Sequence, residues 1–365
     1  MNARSTTFSA ILLVCAPFAQ ATDWYVATGG DDDNAGTEAA PFATIQYAID
    51  QASAGDTVIV RAGTYDQGDD PLTIWRENLT LKALAGERPL IRASVENAFA
   101  AVYFEEDNCD GSRIEGFEIE GGRNGVQVGS SWNHNVSSSP EDQYTCDDIV
   151  IHGNAIHGAA REGIKLPAGV RNIVITNNEI FDTGVAGATN AECIDAVGVI
   201  GLHVAGNYLH HCASNGVYAK GGSVDAVIEN NLIMNVSQNT THGAGIYLGF
   251  TTTDYQAFDL VNNPDTFENI DGIARNNIVI NALGAGISVQ STQNARVYNN
   301  TLINVAQDAQ AGIRLAAGQL CSSEPLSDDC AEEDFDITQT NVSPAIFNNI
   351  VISGGGSVVS VDDEG

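Results

Sequence analysis

Positive charge is what this chain lacks most. Only 15 of its 365 residues are Lys or Arg, against 47 Asp or Glu, for a formal charge of −32. Lysine is rarer still, confined to Lys82, Lys165 and Lys220. So acidic a surface repels phosphate backbones and anionic lipid, so neither nucleic acid nor a membrane surface is an expected partner. Long apolar runs are also missing. The one near the N-terminus is too short to span a bilayer and no later stretch is longer, so no membrane insertion is expected. Absent too are the Ser nucleophile elbow, the phosphate loop and the dinucleotide fingerprint. His152, His157, His203, His210, His211 and His242 show no zinc-ligand spacing.

The start has one cation, Arg4, an apolar stretch from Ala10 to Cys15, and Ala19-Gln20-Ala21. That is the layout of a secretory signal peptide cut after Ala21, so a secreted protein, extracellular or periplasmic, is expected. Six cysteines then remain, in a compartment that permits disulfides.

A repeat dominates the rest. IVIHGNAI, IVITNNEI, LHVAGNYL, AVIENNLI, IARNNIVI, RVYNNTLI and AIFNNIVI share an Asn at 154, 178, 207, 231, 277, 300 and 349. Successive gaps are 24, 29, 24, 46, 23 and 49 residues. One coil is therefore about two dozen residues, and each of the two wide gaps holds either two coils or a large loop. The repeat is Val, Ile, Asn and Gly, with no amphipathic helix inside it and no periodic Leu, which leaves an all-β, right-handed parallel β-helix. Equivalent residues then stack about 4.8 Å apart, and the Asn column forms an amide ladder that holds the turns.

A second period is GVQV, GIKL, CIDA, GVYA, GIYL, GISV and GIRL. Alternation puts Val126, Ile164, Ile194, Val217, Ile246, Ile287 and Ile313 inside, and turns Gln127, Lys165, Asp195, Tyr218, Tyr247, Ser288 and Arg314 outward. In PFATIQYAIDQA, Phe42, Ile45, Ile49 and Ala52 share one helical face, which suits a short N-terminal capping helix. Residues 22–365 read as one domain, expected to be a monomer. Its GGGSVVSVDDEG tail looks like the start of another coil, so continuation beyond Gly365 is expected. Cys109 and Cys146 hold the same place in consecutive repeats and are expected to pair. Cys321 and Cys330 bracket an acidic loop that they are expected to close. Cys193 and Cys212 could pair or stay as thiols.

The outward column places Lys165, Asp195, Tyr218 and Tyr247 on one face, with Lys220 two residues beyond Tyr218. Such a strip is long enough for several sugar units, and exposed tyrosines suit stacking on sugar rings. Elimination from a uronic acid needs a base, for which Lys220 or Lys165 is the candidate, with Tyr218 or Tyr247 assisting proton transfer. Arg314 and Arg161 are candidate contacts for substrate carboxylates. The reaction also needs a cation that neutralises the carboxylate, and Ca²⁺ held by Asp195 and Glu192 is the economical choice. The acidic loop GGDDDNAGT is a second, weaker calcium candidate.

The opening WYVATGGDDDNAGTEAAPFATIQYAIDQASAGDTVIVRAGTY resembles the start of the β-helix polysaccharide lyases, pectate lyases of family nine and the alginate lyase and chondroitinase B group of family six. NGVYAKGGSVDAVIENNLI resembles the family-six segment whose Lys is the base, which implies Lys220. EGIKLPAG resembles the family-nine segment around its catalytic Lys, which implies Lys165. Where family six has acidic calcium ligands this chain has Val217 and Tyr218, and where it has an Arg one coil later this chain has Tyr247. Family nine has an Asp cluster upstream, where Asp147 and Asp148 stand here. The resemblance implies a secreted lyase acting on an acidic polysaccharide. A glycoside hydrolase on the same fold, or a non-catalytic glycan-binding or adhesin module, are the alternatives.

Overall fold

The computed structural model describes residues 21–129, 145–188, 190–236, 243–252, 258, 263–307, 311–321 and 335–362. They fold as a parallel β-helix. Three long sheets, of eleven, ten and ten strands, run the length of the chain, each strand hydrogen-bonding its equivalent in the coil before and after. Every described pairing between these strands is parallel. Short strands suffice because each buries only one or two side chains inward and takes its stability from neighbouring coils.

The inward column is as expected. Val126, Ile164, Ile194, Val217, Ile246 and Ile287 are fully buried and Ile313 nearly so. The register pairs them directly, Val126 with Ile164, Ile164 with Ile194 and Ile194 with Val217. Asn154, Asn178, Asn207, Asn231, Asn277, Asn300 and Asn349 form a continuous ladder. Oδ1 of Asn178 accepts from the backbone N of Asn154 at 2.9 Å and from its Nδ2 at 3.1 Å, and Asn178 Nδ2 donates to the Ile151 carbonyl at 2.9 Å. The residue before each ladder Asn is Gly153, Asn177, Gly206, Asn230, Asn276, Asn299 or Asn348, all with φ between 54° and 67°. That left-handed turn explains why the repeat reads Gly-Asn or Asn-Asn and never carries a branched residue there.

The two wide gaps resolve as insertions. Asn231 donates directly to Asn277 at 3.1 Å and Asn300 to Asn349 at 3.0 Å, so each gap is one coil with a long excursion. Cys109 and Cys146 form the expected disulfide between adjacent coils, with Cα atoms 5.6 Å apart. Cys193 and Cys212, left open by the repeat, are also joined, at 5.5 Å. Cys330 and His242 lie outside the described residues, as does nearly all of the signal segment.

A helix does form, over Ile45–Gln51, with Thr44 as its N-cap and Ile45, Ala48 and Ile49 buried. It is shorter than the periodic segment: Phe42 instead makes a strand-like bridge to Val26, and Ala52 follows the helix. In the preceding acidic loop, Asp32 accepts from the backbone of Ala43 and Thr44 and from the Thr44 hydroxyl, which ties the loop to the helix start.

Candidate functional site

One ten-stranded sheet carries the candidate residues. Its register runs Tyr103, Gln127, Lys165, Asp195, Tyr218, Tyr247, Ser288 and Arg314 in a single outward column. Lys220 pairs with Val197, two residues along the strand from that column. Over its upper half lies a pocket of about 450 Å³ whose walls include Arg161, Glu162, Lys165, Asp195 and Lys220.

Three carboxylates converge beside it, two of them, Glu162 and Asp195, in its wall. Glu162, Glu192 and Asp195 each offer an oxygen, all within 4.8 Å of one another, and all three are buried. Sequence reasoning identified Glu192 and Asp195 and missed Glu162. The signal was available: Glu162 precedes GIKL as Glu192 precedes CIDA, so the two stack on adjacent coils, Gly163 N donating to the Glu192 carbonyl at 2.9 Å. Asn124 and Asn215 hold the same position on the flanking coils.

The carboxylates are not equivalent. Lys165 Nζ bonds Oδ2 of Asp195, its partner in register, and both side chains are buried. Burial raises the Asp195 carboxyl, but the positive charge of Lys165, and then of Lys220, more than offsets it and the net shift is downward. Glu192 goes the other way: burial, and then the nearby Asp195 charge, push it up to about 7. Ser214 Oγ and Asn215 Nδ2 each donate to its Oε1 at 3.1 Å. Burial likewise raises Glu162, which Arg161 contacts at 2.9 Å. With their amide nitrogens turned inward, Asn124 reaches Glu162 Oε2 at 2.6 Å and Asn190 reaches Glu192 Oε1 at 3.0 Å. Asp195 Oδ1 is buried with no hydrogen-bond partner among the described residues. Three carboxylates with an orphaned oxygen form an all-oxygen donor set that fits a hard divalent cation such as Ca²⁺.

Lys220 projects at the far side of the pocket. Its Nζ stands 4.6 Å from the Tyr218 ring centroid and 5.4 Å from that of Phe250, and among the described residues it makes no ion pair. The turn after it is fixed by Glu268, which accepts from Gly221 N at 2.7 Å and from Thr252 Oγ1 at 2.7 Å, and which burial raises to about 6.

Two expectations need correction. Tyr218 and Tyr247 point away from the coil interior but are not exposed stacking platforms, being 5% and 0% accessible. Phe250 lies over them, its ring 5.3 Å from Tyr218 and 5.0 Å from Tyr247, and closes a separate aromatic cluster. Burial holds the Tyr218 phenol well above its usual range. Arg314 shares the column but lies three strands beyond Tyr218, outside the pocket, where it pairs with Asp362 at 2.9 Å. Asp147 is likewise engaged elsewhere, with Arg171 at 2.7 Å.

Comparisons with known proteins bear on the fold. A family described as a protein of unknown function, DUF1565, matches residues 28–75. Pectate lyase PEL9 of Emericella nidulans is 53% identical over 49 residues, 13% of this chain, and the uncharacterized protein YwoF of Bacillus subtilis 46% identical over 43 residues. The match spans 12% and 9% of those relatives' lengths. Among solved structures, an alginate lyase from Paenibacillus sp. superposes with a TM-score of 0.59 at 15% identity, covering 87% of this chain and 96% of that one. Pectate lyase Pel9A gives 0.51 at 16% identity, with 87% and 80% covered. The A-module of the Azotobacter vinelandii mannuronan C-5 epimerase AlgE6 gives 0.51 at 15%, with 88% and 92% covered. This chain is a parallel β-helix of the architecture that these lyases and this epimerase share.

Proposed function

We propose that the chain is a secreted polysaccharide lyase that cleaves a uronate-containing polysaccharide by β-elimination. The observation that carries this reading is a concentration of charge: Arg123, Arg161, Lys165 and Lys220, four of only 15 basic residues in a protein of charge −32, line one pocket. Cations gathered against the overall sign of the surface mark the place where an anionic polymer binds. The sequence resemblance to β-helix lyases and the likeness to two lyase folds support the same reading.

Lys220 is the base. As the neutral amine it takes the proton from the carbon that bears the carboxylate; the electron pair left behind forms a double bond to the next carbon, which expels the glycosidic oxygen, and that oxygen takes up a proton from the Lys220 ammonium just formed or from water. Lys165 is held by Asp195, which leaves Lys220 as the ammonium–amine centre open to substrate. Tyr218 and Phe250 steer it by ring contact, and Tyr218, buried and protonated, supports it from behind. Arg161 at the rim faces the substrate carboxylates. Calcium held by Glu162, Glu192 and Asp195 would add positive charge beside the carboxylate, which acidifies the proton to be removed.

A second reading rests on the pairing of Glu192 and Asp195, whose carboxylate oxygens lie within 4.8 Å of one another, since a glycoside hydrolase on this fold works with two neighbouring carboxylates. Incubation with alginate, pectate and chondroitin separates the readings. A lyase yields ultraviolet-absorbing unsaturated ends. New reducing ends without that absorbance would instead make it a hydrolase, and binding with neither signal would make it a glycan-binding module.

A further inference from the structure

The pocket does not end at the residues assigned to chemistry. Phe99, Arg123 and Arg161 hold the same turn position on three consecutive coils: Asn124 pairs with Ala100, and Arg161 N donates to the Arg123 carbonyl at 2.7 Å. They form a column along one rim of the groove, and all three line the pocket. The column then changes character, continuing as Ala191 and Ser214, so its bulky members stop short of Lys220. Three strand steps separate the Arg123 coil from the Lys220 coil, about 14 Å at roughly 4.8 Å per step. That is farther than one sugar ring reaches.

We propose that Phe99 and Arg123, with Arg161, form a distal subsite that holds a second uronate ring of the same polymer. The proposal rests on the polysaccharide reading above and adds which residues measure the length of the substrate. Phe99 is 41% exposed, and its ring meets Tyr103 edge-on at 5.0 Å, which leaves a face free for the apolar side of a sugar. Arg123 is exposed and, among the described residues, makes no ion pair. Arg161 beside it is partly balanced by Glu162 at 2.9 Å. Two guanidiniums on adjacent coils repel each other, and of the two only Arg161 has an anionic partner among the described residues. A carboxylate set between them removes the repulsion and accepts paired N–H donors from a planar fork, the recognition for which Arg is suited.

The test uses polyuronate, the corresponding oligomers and the variants Arg123→Ala, Arg123→Lys and Phe99→Ala, whose exposed positions leave the fold intact. On polymer, Arg123→Ala is expected to raise KM about ten- to a hundredfold, as loss of a charge-assisted pair would, while kcat holds. The penalty should shrink as the oligomer shortens, and Arg123→Lys should recover part of it. Arg296→Ala, on another sheet, serves as the control and should match the parent. An Arg123→Ala defect equal at every length, or none, would overturn the subsite. If no variant and no parent makes unsaturated ends, affinity electrophoresis in polyuronate gels still decides. Retardation of the parent that Arg123→Ala weakens keeps the subsite while the lyase reading falls; equal retardation, or none, rejects the subsite.

Discussion

The ammonium of Lys165 rests on Oδ2 of Asp195, its register partner one coil on, and both side chains are largely buried. Removing one member strands the other as a buried, uncompensated charge, which costs about 3–5 kcal/mol, whereas replacing both with apolar residues of similar volume is close to neutral. Lys165→Met should therefore lower the urea midpoint strongly, and Lys165→Met with Asp195→Leu should recover most of the loss. A single variant as stable as the parent would show that the pair is solvated.

Lys220 occupies a different position, with ring faces rather than a carboxylate around it. Lys220→Ala removes the base and breaks no ion pair among the described residues, so lyase turnover should fall by about 10²–10⁴-fold while Tm drops far less than in Lys165→Met. Retained turnover in that variant moves the base elsewhere in the pocket.

How much of this was legible beforehand depends on which residues the coil period governs. The outward column from Gln127 to Arg314, the inward apolar column and the Asn ladder all follow from a period of two dozen residues and strict alternation, and the structure reproduces them. Glu162 was equally legible, one position before the tetrapeptide that marks each coil. The burial of Tyr218 and Tyr247 was not, because the cover comes from Phe250, beyond the strand that the repeat defines. Nor was the exclusion of Arg314: sharing a face says nothing about how far along the solenoid the pocket runs. Arg123 lay in plain sight, but its meaning appears only when the coil brings it over Arg161.

Calcium should bind where the three carboxylates meet. Adding it to chelator-treated protein should raise Tm, by an amount that grows as RT ln(1 + [Ca²⁺]/Kd), and Glu162→Gln should remove most of the shift. A Tm indifferent to millimolar-range calcium would mean that the neighbouring Lys165, Lys220 and Arg161 balance the trio without a metal.

The Asn ladder predicts a gradient. Asn231 is buried and hydrogen-bonded through Nδ2 to Asn277 Oδ1 at 3.0 Å and to the Val204 carbonyl at 2.9 Å. Asn231→Ala takes the side-chain donor from the Val204 carbonyl and the side-chain acceptor from the Asn207 backbone N–H, at about 1–3 kcal/mol per stranded group, while Asn277 Oδ1 keeps the Asn231 backbone N–H. Asn349 sits half-buried on the last described coil, so Asn349→Ala should cost distinctly less. Equal losses at both positions in denaturant titration would count against the ladder as the source of the stability.

Glu192 makes stability depend on pH in an unusual direction. Its carboxyl holds a proton up to about 7 in the folded chain, against an ordinary value of 4.5, so between these limits the native state binds more protons than the unfolded one. Unfolding free energy then falls as pH rises through that window. Glu268, raised to about 6, acts in the same sense over the lower part of it. Glu192→Gln keeps an acceptor for Ser214 and Asn215 and removes the charge, so it should be more stable than the parent at pH 7 and above, with little difference near pH 4. Thermal melts of both proteins across that range decide the matter: parallel curves would show that folding leaves the Glu192 carboxyl at its ordinary value and that its burial stores no proton.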